Sequence, residues 1–212
     1  MLRRMRRHRA ILASIAAATI LTAIAGGTAR AESATAAFAT GQAAYERGDY
    51  TAALSAWRRA AEQSHAEAEF RLGALYENGR GVAKDLEQAR SWYARAAEHG
   101  SQKAQFNLGH MYATGTGVAR DEAEAARWYR RAAELGNAHA QYTLGLMYSQ
   151  GRGVERDLVR SYAWLTVAIH NFDPNMFRDN ANRARREIEQ RMNETERAEA
   201  ERLLEEWASA RH

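Results

Sequence analysis

Residues 65–100 read HAEAEFRLGALYENGRGVAKDLEQARSWYARAAEHG, and residues 101–136 read SQKAQFNLGHMYATGTGVARDEAEAARWYRRAAELG. The two agree at half of their 36 positions, and residues 137–172 continue the pattern. The shared frame is A-x-x-x-L-G-x-x-Y-x-x-G-x-G-V-x-x-D, then A-x-x-W-Y-x-x-A-A and a closing glycine. Tyr76, Tyr112 and Tyr148 recur at this period, as do Trp92, Trp128 and Trp164. A fixed period of this length marks an array in which each unit buries its apolar face against the next.

Each part of the frame has a physical task. Ala68, Leu72, Leu75 and Tyr76 fall at helical spacing and form one apolar stripe. Gly73, Gly109 and Gly145 lie inside that helix, where glycine costs up to about 1 kcal/mol, so they are expected to admit a close partner helix. The pairs Gly79/Gly81, Gly115/Gly117 and Gly151/Gly153 end the helix and permit positive φ. Val82, Val118 and Val154 follow as the expected buried plug of each turn. Asp85, Asp121 and Asp157 are the expected N-caps of a second helix, with Gln88 and Glu124 placed for capping boxes. There Ala89, Trp92 and Ala96 recur, the alanines making room for the indole. Gly100 and Gly136 close two of the units in the left-handed conformation.

These residues resemble the SEL-one-like repeat family, relatives of the tetratricopeptide repeat. The resemblance covers residues 65–172 and implies an all-α fold: a right-handed α/α solenoid of antiparallel helix hairpins with helical caps. Its units are 65–100, 101–136 and 137–172. The third departs at Ser161, Leu165, Ile169 and Phe172, where the others carry Ala, Tyr, Ala and Gly. Larger apolar residues there are expected to meet a cap.

The flanks fit that frame. Residues 32–64 read as a tetratricopeptide-like hairpin turning at Gly48-Asp49-Tyr50, with Ala53, Trp57, Ala60 and Ala61 behind it. Residues 173–212 read as a C-terminal helical cap, expected as a hairpin. Pro174 marks the exit from the last repeat. Phe177, Ala181, Ala184 and Ile188 form one stripe, and Ala200, Leu203, Leu204 and Trp207 another. Asn193 with Glu196 supplies a capping-box signature between them. Residues 1–31 read as an export signal: a cationic start, an apolar run from Ile11 to Ala25, then Ala29-Arg30-Ala31 for cleavage near Ala31. The apolar run spans about 22 Å as a helix, short of the roughly 30 Å hydrocarbon core. The membrane is then met only in transit, and a periplasmic or secreted protein is expected; an uncleaved anchor is the alternative.

Charge and composition narrow the chemistry. The net charge is +4, but residues 1–31 hold six arginines and no acidic residue. The remainder carries 24 basic against 26 acidic residues, which removes the basis for binding nucleic acid. With no cysteine there is no disulfide, thiol nucleophile or lipidation site. No two histidines lie three or four apart on a helix, so the expectation is no metal, no cofactor and no catalytic residue. His99 and His139 fall near repeat boundaries, where an approach across one is the single metal-like arrangement the pattern allows.

What is left for function is surface. On the first helix of each unit, the stripe beside the core contains Glu67 and Phe70, then Lys103, Phe106 and His110, then His139 and Tyr142. Core positions are nearly identical from unit to unit, whereas this stripe varies around one recurring aromatic. The resemblance implies that first helices line a concave face, so Phe70, Phe106, His110 and Tyr142 are the candidate anchors for a protein or peptide partner. Burial of the aromatics between neighbouring helices is the competing structural explanation. The expected role is an exported interaction scaffold or adaptor, for which the resemblance implies a regulatory use, and not an enzyme. A cell-wall-associated hydrolase or glycan-binding protein is the second reading.

Overall fold

The structure is a computed structural model that describes residues 33–210; the expected export signal lies outside them. Ten helices follow one another with no strand among the described residues. Helix α1 spans 33–46, α2 Tyr50–Ala61, α3 Ala66–Asn78, α4 Leu86–Glu98 and α5 Gln102–Thr114. Then come α6 Glu122–Glu134, α7 Ala138–Gln150, α8 Leu158–Asn171, α9 Met176–Glu189 and α10 Glu194–Ser209. The three central hairpins are α3/α4, α5/α6 and α7/α8, each packed on the next through α4 on α5 and α6 on α7, with apolar clusters following one another along the array. No described helix is long and apolar enough to cross a membrane.

Local chemistry sets the helix ends as the sequence predicts. Asp85, Asp121 and Asp157 each accept from the backbone N–H three residues on. Gly79, Gly115 and Gly151 close the first helices with φ of 66°, 77° and 67°. The expected capping boxes at Asp85 and Asp121 are only half made, because Glu124 turns instead to pair with Arg127. Among the described residues the one reciprocal box links Asn193 and Glu196 at the start of α10. Val82, Val118 and Val154 are half-buried and not the fully enclosed plugs expected.

The second helices correct another expectation. Trp92 and Trp128 are half-buried, while Tyr93 and Tyr129 beside them are enclosed. The enclosed column is Trp57, Tyr93, Tyr129 and Leu165, and each sits in a slot opened by a glycine of the paired first helix. A Cβ on Gly73 would lie 2.6 Å from the Tyr93 ring, on Gly109 2.7 Å from Tyr129, and on Gly145 2.8 Å from Leu165. Gly41 does the same for Trp57. The helical glycines therefore admit a side chain, which is why they repeat in register with it.

Burial raises both phenols. Tyr93 rises well above the ordinary range through desolvation, with help from Glu77, whose Oε2 accepts its hydroxyl proton at 2.6 Å. Tyr129 is pushed up to about 12 by desolvation, with Arg152 opposing. Both stay neutral in the fold while the unfolded chain ionises near pH 10, so their contribution is intact below pH 10 and declines above it. Each costs about 1.4 kcal/mol per pH unit in that window. Urea unfolding at pH 9, 10 and 11 is expected to show this steep loss, and Tyr129→Phe should roughly halve the slope.

The C-terminal cap is not the expected hairpin. Both α9 and α10 pack on α8 and share little contact with each other. Leu165 meets Ile188, Met192 and Ala200, while Ile169 and Phe172 close on Ala181. The larger residues of the third unit thus find their partners in the cap, as expected. Trp207 then packs on Trp164 with ring centroids 4.4 Å apart.

Candidate functional site: the first-helix face

The candidate residues on α3, α5 and α7 form a connected ladder. Lys103 Nζ lies 3.4 Å from Glu67 Oε1 and 5.7 Å above the Phe70 ring. One unit on, His139 takes the same relation to Phe106, with ring centroids 6.0 Å apart. The residue at the head of each first helix thus covers the aromatic of the unit before it. Glu67 also holds Arg71 at 3.1 Å.

Neither explanation of the aromatics wins outright. Phe70 and Phe106 rest on Tyr93 and Tyr129 at 5.6 and 5.5 Å, yet both remain half-exposed. Tyr142 is half-buried and packs toward Phe172 at 6.5 Å. His110 and His139 are exposed. The ladder begins in charge at Glu67, Arg71 and Lys103 and ends in aromatics.

That aromatic end contains Phe172, read as the last residue of the third repeat, and Phe177, read as part of the cap. Phe172 and Phe177 approach His139 at 5.0 and 4.8 Å, both edge-on. Phe177 is 42% exposed and Met176 beside it 67%, so the stripe expected to bury Phe177 instead turns it toward the ladder. The signal was the loss of the closing glycine. Phe172 takes an extended φ of −81° and ψ of 136°, and Pro174 follows, so the chain carries its aromatics past His139 before α9 begins.

His99 and His139 do not meet; each has its own partners. His99 Nδ1 lies 2.6 Å from Oε2 of Glu69, a fully buried carboxylate that also faces Arg95 at 3.1 Å. Glu69 belongs to a buried polar column with Gln105 and Gln141. The glutamines donate to the carbonyls of Ala97 and Ala133, tying each first helix to the end of the preceding second helix. Among the described residues no three histidine or acidic side chains are placed to hold a metal ion.

Gln105 leaves its Oε1 without a partner. In the next unit Asn171 donates to Gln141 Oε1 at 2.9 Å, and Leu135 stands at the equivalent place here, 51% exposed. Leu135→Asn is expected to stabilise the fold by about 1 kcal/mol, the worth of one buried hydrogen bond. A thermal melt that stays level or falls would show that Gln105 already has water there.

Comparison with known proteins supports the same architecture. The Sel1 repeat model matches residues 66–101, 102–137 and 138–171. A Sel1 repeat protein from Oxalobacter formigenes has a solved structure similar to this chain at 33% identity and a TM-score of 0.60, over 66% of this chain and 59% of that one. The protective antigen c5321 of uropathogenic Escherichia coli strains, which displays an SLR fold, is 33% identical over 83% of this chain and 45% of its own, with a TM-score of 0.49. The chain thus spans about half of the length of these solved relatives. No curated protein matches.

Proposed function

The chain belongs to the Sel1 repeat family, and from that premise we propose that it is an exported scaffold or adaptor that holds a protein or peptide partner on its first-helix face. The family's members are generally protein–protein interaction scaffolds. The observation that carries the assignment is the ladder: Lys103 over Phe70 and His139 beside Phe106 place a polar residue against the preceding aromatic at the same repeat position. A periodic row of half-exposed rings with charges at one end suits an extended segment lying across the units. Glu67, Lys103, His110 and Tyr142 would set its register, and Phe177 would close the aromatic end.

Residues 1–31 direct export and are removed near Ala31, which places the mature protein in the periplasm or outside the cell. Intact mass of the protein recovered from the cell tests this directly: retention of those residues indicates an anchor instead. A regulatory role would follow from occupying a partner.

Crosslinking in the cell, followed by reconstitution with the purified partner, tests the face. Phe106→Ala and the paired exposed change His110→Ala with His139→Ala are expected to weaken that complex at least about tenfold each, the loss of one good anchor. Equal affinity in both variants, with helicity unchanged, would remove this face from the mechanism.

A further inference from the structure

The second-helix side carries a separate concavity. Where α10 lies along α8, it leaves a cleft of about 780 Å³ against α6 and the loop before α8. That size falls within the range of small-ligand sites. Tyr148 and Trp164 form a buried aromatic base; Arg160 lies over the Tyr148 ring at 5.9 Å, and Trp207 stands half-buried over Trp164, its ring tilted 43°.

The rim is charged but balanced. Arg130, Arg156 and Arg160 face Glu134, Glu155 and Asp157 around the opening. Arg160 is engaged with Asp157 at 2.7 Å, and Arg130 donates to the Tyr148 hydroxyl at 2.8 Å. Arg156, Glu134 and Glu155 make no ion pair among the described residues. A rim without net charge has no field to select an anion or a cation. What it offers is planar groups, guanidinium and carboxylate, each presenting two polar atoms side by side.

The array makes this place unlike its counterparts. In the first two units the indole is covered by a guanidinium three residues on, Arg95 at 4.6 Å from Trp92 and Arg131 at 4.8 Å from Trp128. In the third unit Val167 stands there, and Trp207 of α10 takes the place of the guanidinium, its ring 4.4 Å from that of Trp164.

We propose that this cleft binds a short neutral glycan. Sugar rings lie with their C–H faces on the half-buried Trp207 indole, and adjacent hydroxyls bridge the free rim groups Arg156, Glu155 and Glu134. The proposal is independent of the partner on the first-helix face and assigns no catalytic step.

The test is calorimetric titration of the whole protein with chitotriose, cellotriose and maltotriose, with tryptophan fluorescence recorded alongside. At least one is expected to saturate with a change in emission. Arg156→Ala and Glu155→Gln, both exposed loop changes that leave the fold intact, should each weaken it about tenfold, the worth of about one charge-assisted hydrogen bond. Trp207→Ala should abolish the emission change. Three flat titrations would overturn the proposal, as would a binding constant unmoved by both rim variants. Stronger binding of trialanine than of any trisaccharide would make the cleft a peptide site and overturn it equally.

Discussion

Replacing Arg95 and His99 together by alanine is expected to cost roughly 3–5 kcal/mol, because it leaves the Glu69 carboxylate buried without a partner. Glu69 is fully enclosed, while Arg95 and His99 keep 45% and 36% of their side-chain surface in solvent. Losing the carboxylate therefore strands nothing, whereas losing both of its partners strands it. Arg95 adds a bond to the Ala61 carbonyl at 3.0 Å, the bond that Gln105 and Gln141 make to the equivalent carbonyls in later units. In the first unit an acid stands where a donor is needed, and an arginine from the next helix donates in its place. Glu69→Gln should restore the amide pattern and by itself change stability by no more than about 1 kcal/mol. In that background the double alanine change should cost less than half as much. Equal losses in both backgrounds, measured by urea unfolding, would mean that the cost is ordinary packing, including the contact of Arg95 with Trp92.

Most of the fold could be read from residues with a single physical use. A glycine pair followed by valine and aspartate ends one helix and begins another, and no alternative placement satisfies positive φ and an N-cap together. The tryptophan–tyrosine pairs were harder. Neighbours on a helix differ by about 100°, so both sit at the edge of an apolar stripe, and hydrophobicity favours the indole. The deciding signal was in the other helix: Gly73, Gly109 and Gly145 keep step with Tyr93, Tyr129 and Leu165. The cap failed to read correctly for a different reason. A short connection between two amphipathic helices suggests a hairpin, but the sequence carries no mark that the stripe with Ala200 and Trp207 docks on α8. The cleft beside Trp164 was invisible for the same reason. The candidate ladder itself was legible because its positions vary while the core repeats; its closure by Phe177 depended on the path of the chain after Phe172.

Gly153→Ala is expected to destabilise the protein by about 3–5 kcal/mol, far more than the same change at Gly100. Both glycines have positive φ, 65° and 86°, so each alanine bears the left-handed strain of about 1–2 kcal/mol. Their surroundings separate them. Nothing lies within 4 Å of a Cβ built on Gly100, whereas one on Gly153 would press well under 3.0 Å into the backbone of Glu122 and Ala123. That backbone opens α6 just past the Asp121 cap, so it cannot yield without disturbing the N-terminal turn. The loop of the third unit therefore touches the head of the preceding second helix through bare backbone, and that contact sets the step between units. Gly117 and Gly81 stand at the same joints against Leu86 and Tyr50, where the nearest atoms, the Leu86 Cβ and the Tyr50 carbonyl carbon, would lie 2.6 Å away, farther than the Glu122 carbonyl oxygen from a Cβ on Gly153. Alanine there should cost between the two extremes, ordering the four variants as Gly153, then Gly81 and Gly117, then Gly100. Chemical denaturation of the four gives the test. A common loss of about 1–2 kcal/mol would assign every one of these glycines to backbone conformation alone, and close approach between units would have no part in fixing the solenoid.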